Sequence, residues 1–116
     1  TMTDQNPSII ILKSADLIGS KPEEAVCWGI EEEGIPFKIQ YDPESLAARL
    51  AYKAALISRL NVGIGIGVDG NIAVHYSQMN EKTPLFMCGS YSESNYHVIL
   101  GMNAARLVKG LPFKEL

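Results

Sequence analysis

The segment Asn61 to Tyr76, NVGIGIGVDGNIAVHY, decides the fold. Val62, Ile64, Ile66 and Val68 stand two apart with Gly63, Gly65 and Gly67 between them. Alternation at period two is a strand signal, and a strand with branched residues on one side and bare glycines on the other can carry packed elements on both faces. The segment therefore reads as the central strand of an α/β sheet. Asp69-Gly70 suits a tight hairpin, where positive φ is needed, and Asn71 to Tyr76 reads as a returning strand with Ile72, Val74 and Tyr76 on one face.

Gly65-Ile66-Gly67-Val68-Asp69-Gly70 also satisfies G-x-G-x-x-G. A dinucleotide fingerprint must open a helix whose N-terminus receives the pyrophosphate, and here an alternating strand follows instead. No Gly-Lys-Ser/Thr ends the run, so it is not a P-loop either. The glycines are read as thin places where a helix approaches the sheet closely.

Working outward, Ile9 to Leu12 is a short apolar run suited to a buried parallel strand, followed by a loop from Lys13 to Ser20. Ser20 is placed to cap a helix in which Pro22, Glu23 and Glu24 occupy the first turn and Gly34 marks the end. Ile35 to Tyr41 forms a second strand with Phe37, Ile39 and Tyr41 in phase. Asp42 as N-cap and Pro43 at N1 start a second helix, with Leu46, Leu50, Ala54 and Ile57 at helical spacing. After the hairpin, Gln78 to Pro84 is a polar loop and Leu85 to Cys88 a fifth strand. A last helix begins near Ser92 or Ser94, buries Tyr96, Leu100, Ala104 and Leu107, and stops at Gly110 and Pro112.

This order predicts a three-layer α/β/α sandwich with a five-stranded mixed sheet, mostly parallel with one antiparallel strand, because right-handed crossovers put helices on both faces. With 116 residues the chain supports one domain, expected from Ile9 to Leu116. Thr1 to Ser8 are polar, Thr1 standing before Met2 reads as a remnant of expression, and this segment is expected to be disordered or expression-derived.

Composition excludes several function classes. No apolar run approaches the ~20 residues that span a bilayer, so no membrane role is expected. A net charge of −3 without a Lys/Arg cluster argues against a nucleic-acid partner. Cys27 and Cys88 lie far apart with no C-x-x-C pair, and no basic segment followed by an apolar one opens the chain, which fits a reduced, cytoplasmic setting.

The first helix carries the most informative surface. On a 3.6-residue wheel Val26 and Ile30 define the buried side, while Trp28 and Glu32 lie four apart on the opposite side, flanked by Glu24 and Glu31. An outward tryptophan is either the anchor of a protein interface or a ring covered by a loop or terminus of its own chain. Glu31-Glu32-Glu33 sits at the end of the helix where the dipole disfavours acids. The run is either a solvated patch or a carboxylate offered to a cation or to a basic group on a partner. His75 in a strand and His97 in a helix lack companions at ligand spacing and read as structural or exposed. Cys27 lies mid-helix, away from a positive N-terminus, and reads as a small packing residue. No catalytic constellation emerges, and the serines lack a G-x-S-x-G elbow.

Trp28-Gly29-Ile30-Glu31-Glu32-Glu33-Gly34-Ile35-Pro36-Phe37, Asn61 to Ile66, Ala73 to Tyr76, Thr83 to Phe86, and Asn103-Ala104-Ala105-Arg106-Leu107-Val108-Lys109-Gly110-Leu111-Pro112-Phe113 resemble the small subunit of the diol/glycerol dehydratase-reactivating factor over nearly the whole chain. The first and last of these pieces are the most specific. The resemblance implies a non-catalytic subunit with a fold like that of anticodon-binding domains. Its partner would be a large subunit with an ATPase domain of the actin and heat-shock-chaperone type, two copies of each, and the pair would reactivate dehydratases blocked by damaged adenosylcobalamin. It further implies exchange with the related medium subunit on the dehydratase large subunit. ATP, ADP and Mg²⁺ would sit on the large subunit, with one carboxylate, Glu32 by the motif, bridging to the metal beside Glu31 and Trp28. A setting in the cytoplasm or a bacterial microcompartment fits that role. Two other readings stay open: a medium subunit or cobalamin-contacting domain of the dehydratase itself, and a stand-alone small-molecule-binding domain at the sheet's switch point.

Overall fold

In the computed structural model, which describes residues 6–15, 21–89 and 94–115, five strands and three helices follow one another as β1 (Ile9–Ser14), α1 (Lys21–Glu32), β2 (Phe37–Asp42), α2 (Ala47–Ile57), β3 (Val62–Ile66), β4 (Ile72–Tyr76), β5 (Phe86–Cys88) and α3 (Ser94–Lys109). The sheet order is β2-β1-β3-β4-β5. β1 is parallel to both β2 and β3, and β4 is antiparallel to its two neighbours, so a single strand runs against the rest, as the sequence predicts.

The glycine alternation sets the two faces. Ile64, Ile66 and Val62 join Ile9, Ile11, Ile72 and Val74 on the face covered by α1 and α3, where Val26, Ile30, Leu100, Ala104 and Ala105 close the core. On the other face a Cβ on Gly63 would meet the Ala55 nitrogen at 2.1 Å, and one on Gly65 the Ala47 carbonyl at 2.2 Å. Only hydrogen leaves room for α2, so these positions specify how deeply that helix settles on the sheet. Gly67, the second glycine of the apparent nucleotide motif, likewise sits against the Ser45 carbonyl, and β4 follows it where a phosphate-binding helix would have to begin.

Several boundaries differ from the sequence reading. β1 runs on through Lys13 and Ser14, because the Lys13 ammonium is held by the Glu23 carboxylate of α1 and lies 5.4 Å from the centre of the Tyr41 ring, which lets a cation stay 3% exposed. Asp42 ends β2 instead of capping α2: its Oδ1 accepts the Glu44 amide at 2.9 Å and both its oxygens accept Lys53 Nζ. The Glu44 carboxylate accepts the amides of Ser45 and Leu46, and the helix starts at Ala47. The β3–β4 connection is five residues, Gly67 to Asn71, closed by the Gly67 amide on the Asn71 carbonyl and by Asp69 Oδ1 on the Asn71 amide, with Gly70 at φ 84°. On α3 the buried line is His97, Leu100, Ala104 and Ala105, while Tyr96 faces out, one step of the helix away from the expected phase. Packing begins before Ile9, since the buried Ser8 gives its carbonyl to Ser58 Oγ at 2.6 Å. The Ser20 cap and the alternative helix start at Ser92 lie outside the described residues, as do residues 16–20 of the first loop.

The end of the chain is fastened by one side chain. Asn103, fully buried on α3, donates Nδ2 to the Lys114 carbonyl at 2.9 Å and accepts the Lys114 amide on Oδ1 at 2.7 Å, as a neighbouring strand would. Arg106 Nη1 donates to the Pro112 carbonyl, and the Phe113 ring meets Phe86 edge-on at 5.0 Å. The tail motif thus folds back over β5.

The outer face of the first helix

Helix α1 is clamped on its inner side by close backbone contact. A Cβ on Gly29 would meet the Val98 carbonyl at 2.0 Å, and one on Gly101 of α3 the Val26 carbonyl at 2.1 Å. Two glycines, one on each helix, therefore bring the axes together and leave α1 no freedom to roll. Val26 and Ile30 are fully buried below, so position 28 necessarily points away.

Trp28 is 63% exposed, and its Nε1 donates to Glu32 Oε1 at 3.2 Å one turn on. The pairing ties the indole along the helix surface and takes one carboxylate oxygen, leaving the other for a cation or donor outside. Glu31 is exposed beside them. It lies towards Cys27, whose thiol is pushed up to about 11, first by burial and then by the charges of Glu23 and Glu31, with Lys13 opposing. A thiol held protonated in this way is a packing group and a poor nucleophile.

The third glutamate has another task. Glu33 Oε2 accepts Arg106 Nε at 3.1 Å, Oε1 accepts Lys109 Nζ at 2.7 Å, and the same ammonium donates to the Glu33 carbonyl at 2.8 Å. Hydrogen bonding by Lys109, and then by Arg106, holds this carboxyl below the usual glutamate range. Gly34 at φ 75° completes the end of α1, where the Gly34 amide bonds the Glu31 carbonyl and the Ile35 amide the Ile30 carbonyl, a Schellman pattern. Three adjacent acids that look equivalent in sequence thus divide: Glu33 is spent on α3, and Glu31 and Glu32 face outward. The cost of acids at a helix C-terminus is offset at Glu33 by two cations from α3.

No group of three His, Cys, Asp or Glu side chains among the described residues converges as a metal cage. Hard carboxylate oxygens such as those of Glu31 and Glu32 suit Mg²⁺, which binds one or two protein carboxylates and keeps several waters, so this face fits a metal whose other ligands come from elsewhere. His75 and His97 are buried: the two ring nitrogens of His75 lie 3.1 and 3.2 Å from the carbonyls of Tyr76 and Glu81, and His97 Nε2 lies 3.1 Å from that of Gly89. Both read as structural, and no helix among the described residues is long and apolar enough to cross a membrane.

Residues 6–114 match the family model described as dehydratase medium subunit. The chain is 44% identical over 91 residues to the diol dehydratase-reactivating factor small subunit of Klebsiella michiganensis, covering 78% of this chain and 72% of that protein. It is 41% identical to the propanediol dehydratase-reactivating factor small subunit of Citrobacter freundii, covering 94% and 91%. Among solved structures, a chain of a diol dehydratase-reactivating factor complexed with ADP and Mg²⁺ superposes with a TM-score of 0.86 at 39% identity, over 95% of this chain and 99% of that one. A chain of a glycerol dehydratase reactivase gives 0.91 at 32% identity, over 95% and 98%. The chain belongs to the dehydratase medium-subunit family, and within it to the small subunits of the dehydratase-reactivating factors.

Proposed function

We propose that this chain serves as the non-catalytic subunit of a reactivating factor, docking its α1 face on a large ATPase-type subunit in an assembly with two copies of each. Trp28 supplies the apolar anchor, and Glu32 supplies one carboxylate to a Mg²⁺ held chiefly by that subunit, which also binds ATP or ADP. When the large subunit lets go, the freed copy competes for an equivalent surface on the dehydratase large subunit, displaces the related medium subunit there and opens the enzyme for loss of damaged adenosylcobalamin. Nucleotide state then acts as a coupling free energy between two binding events. The setting is the cytoplasm or a bacterial microcompartment.

The observation that carries this reading is the exposed Trp28–Glu32 pair on a helix that two glycines prevent from turning inward. A metal bound to this surface would be held by Glu32, with Glu31 beside it, because Glu33 is saturated by Arg106 and Lys109.

The test is affinity for a cognate large subunit, measured by calorimetry with ADP, with and without Mg²⁺. Trp28→Ala is expected to weaken binding roughly thirty-fold in both conditions, the scale of an aromatic hot spot. Glu32→Ala is expected to weaken it only when Mg²⁺ is present. Equal affinity for parent and Glu32→Ala in both conditions would remove Glu32 from the metal, and a folded chain that binds no such subunit would end the whole reading.

A further inference from the structure

The two edges of the sheet are treated differently. β5 is three residues long, and the returning tail lays Phe113 on Phe86 beside it, so this edge offers little to a new strand. β2 is six residues long, contains no proline, and closes the other edge of the sheet. The Ile9 amide bonds the Pro36 carbonyl and the Ala15 amide the Asp42 carbonyl, so the even-numbered residues of β2 turn their peptide groups to β1. Those of Phe37, Ile39 and Tyr41 then point off the sheet. Ile39 and Tyr41, 38% and 65% exposed, stand on the face that α1 and α3 cover further in.

We infer that β2 pairs antiparallel with β2 of a second copy of this chain, about a two-fold axis at Gln40. The sequence of the edge, Phe37-Lys38-Ile39-Gln40-Tyr41-Asp42, complements itself in this register. Ile39 stands opposite Tyr41 of the other copy, and Tyr41 opposite its Ile39, two aromatic–β-branched pairs whose peptide groups exchange hydrogen bonds. Lys38 stands opposite Asp42, twice over, joining a carboxylate that already holds Lys53 of its own chain, and Gln40 stands opposite Gln40. Sliding by two residues sets Lys38 against Gln40 in one direction and against Glu44, beyond the end of the strand, in the other, so only the first register keeps both opposite-charge pairs within β2. The product is a continuous ten-stranded sheet with β2 at its centre. Such a pair gives a subunit that must exist between partners a closed edge. This inference does not depend on the α1 face being an interface, and its test uses the chain alone.

Sedimentation equilibrium of the purified full chain over a concentration series is expected to show a reversible monomer–dimer equilibrium. Ile39→Pro removes an outward amide and leaves the ladder to β1 intact, so it is expected to raise the dimer dissociation constant roughly thirty-fold while the circular dichroism spectrum stays unchanged. Should that variant fold poorly, Gln40→Cys reads the register directly. The facing Gln40 positions form a non-hydrogen-bonded pair with Cβ atoms ~5 Å apart, so this variant should form an intermolecular disulfide on mild oxidation, while the parent with Cys27 and Cys88 does not. A chain that stays monomeric at all concentrations, a dimer indifferent to Ile39→Pro, or crosslinking through Ile39→Cys in preference to Gln40→Cys would overturn the inference. Loss of large-subunit binding in Ile39→Pro with a monomeric parent would assign the edge to that partner instead.

Discussion

Replacing Gly101 by alanine opposes two effects on one helix. Alanine in a helix interior is favoured over glycine by about 1 kcal/mol, so an exposed site would be stabilised. At Gly101 the new Cβ would lie 2.1 Å from the Val26 carbonyl oxygen and 2.9 Å from its carbon, with the Ile30 nitrogen at 3.2 Å. The nearest contact is about an ångström too short, and the obstructing atoms are backbone of α1, which no rotamer change can move. The helices must part, and every side chain between them loses contact. Overpacking of this kind costs about 3 kcal/mol or more, so the net expectation is destabilisation by about 2 kcal/mol. For a chain of this length that lowers Tm by roughly 8 °C. Urea and thermal unfolding measure it directly. Gly89→Ala, whose Cβ would find only Asn71 Oδ1 at 3.6 Å, should leave stability within about 0.5 kcal/mol and serves as the control. A Gly101→Ala chain as stable as the parent, or more so, would refute the claim that bare backbone contact sets the distance between α1 and α3.

The remaining expectations concern charge and reactivity. Because the Glu33 carboxyl is held below its ordinary value of 4.5 by Lys109 and Arg106, its contribution to stability is present above that value and is lost as pH falls through the lower folded value. Unfolding measured between pH 6 and 3 should therefore show a shallower acid loss in Glu33→Gln than in the parent, and parallel curves would contradict it. Cys27, with its thiol raised to about 11, should react with iodoacetamide at pH 8 at least ten-fold slower in the folded chain than in urea, and equal rates would show that the thiol is not shielded. Asn103→Ala should cost about 2 kcal/mol and expose the tail to carboxypeptidase; an unchanged digestion rate would mean that Asn103 does not hold it.

Much of this was legible in the sequence where the signal is local. Alternating glycines at 63, 65 and 67 gave the central strand and the close helix above it, and the wheel of α1 separated Val26 and Ile30 from Trp28 and Glu32 because period 3.6 needs no knowledge of the rest of the fold. What was missed depends on distant partners. Lys13 reads in sequence as the first residue of a loop, and only Glu23 and Tyr41 around it keep it within β1. Asp42 carried a good cap signal, but the β1 register claimed it for β2 and Lys53 claimed its carboxylate. Tyr96 was expected inside, yet Gly101, Ala104 and Ala105 made the tight side of α3 from small residues, and hydrophobic size pointed one position away. The division of labour among Glu31, Glu32 and Glu33 rests on cations more than seventy residues further along the chain.

The Asn103 amide touches Lys114 only at its peptide atoms, so that residue is chosen by its place in the chain and not by its side chain. Any residue with an amide hydrogen would serve there, whereas proline would forfeit half the grip. What selection must preserve is the spacing: adding or deleting a single residue between Gly110 and Lys114 would present the wrong peptide to a fixed buried carboxamide. Length, more than composition, is the conserved quantity to expect in this part of the molecule.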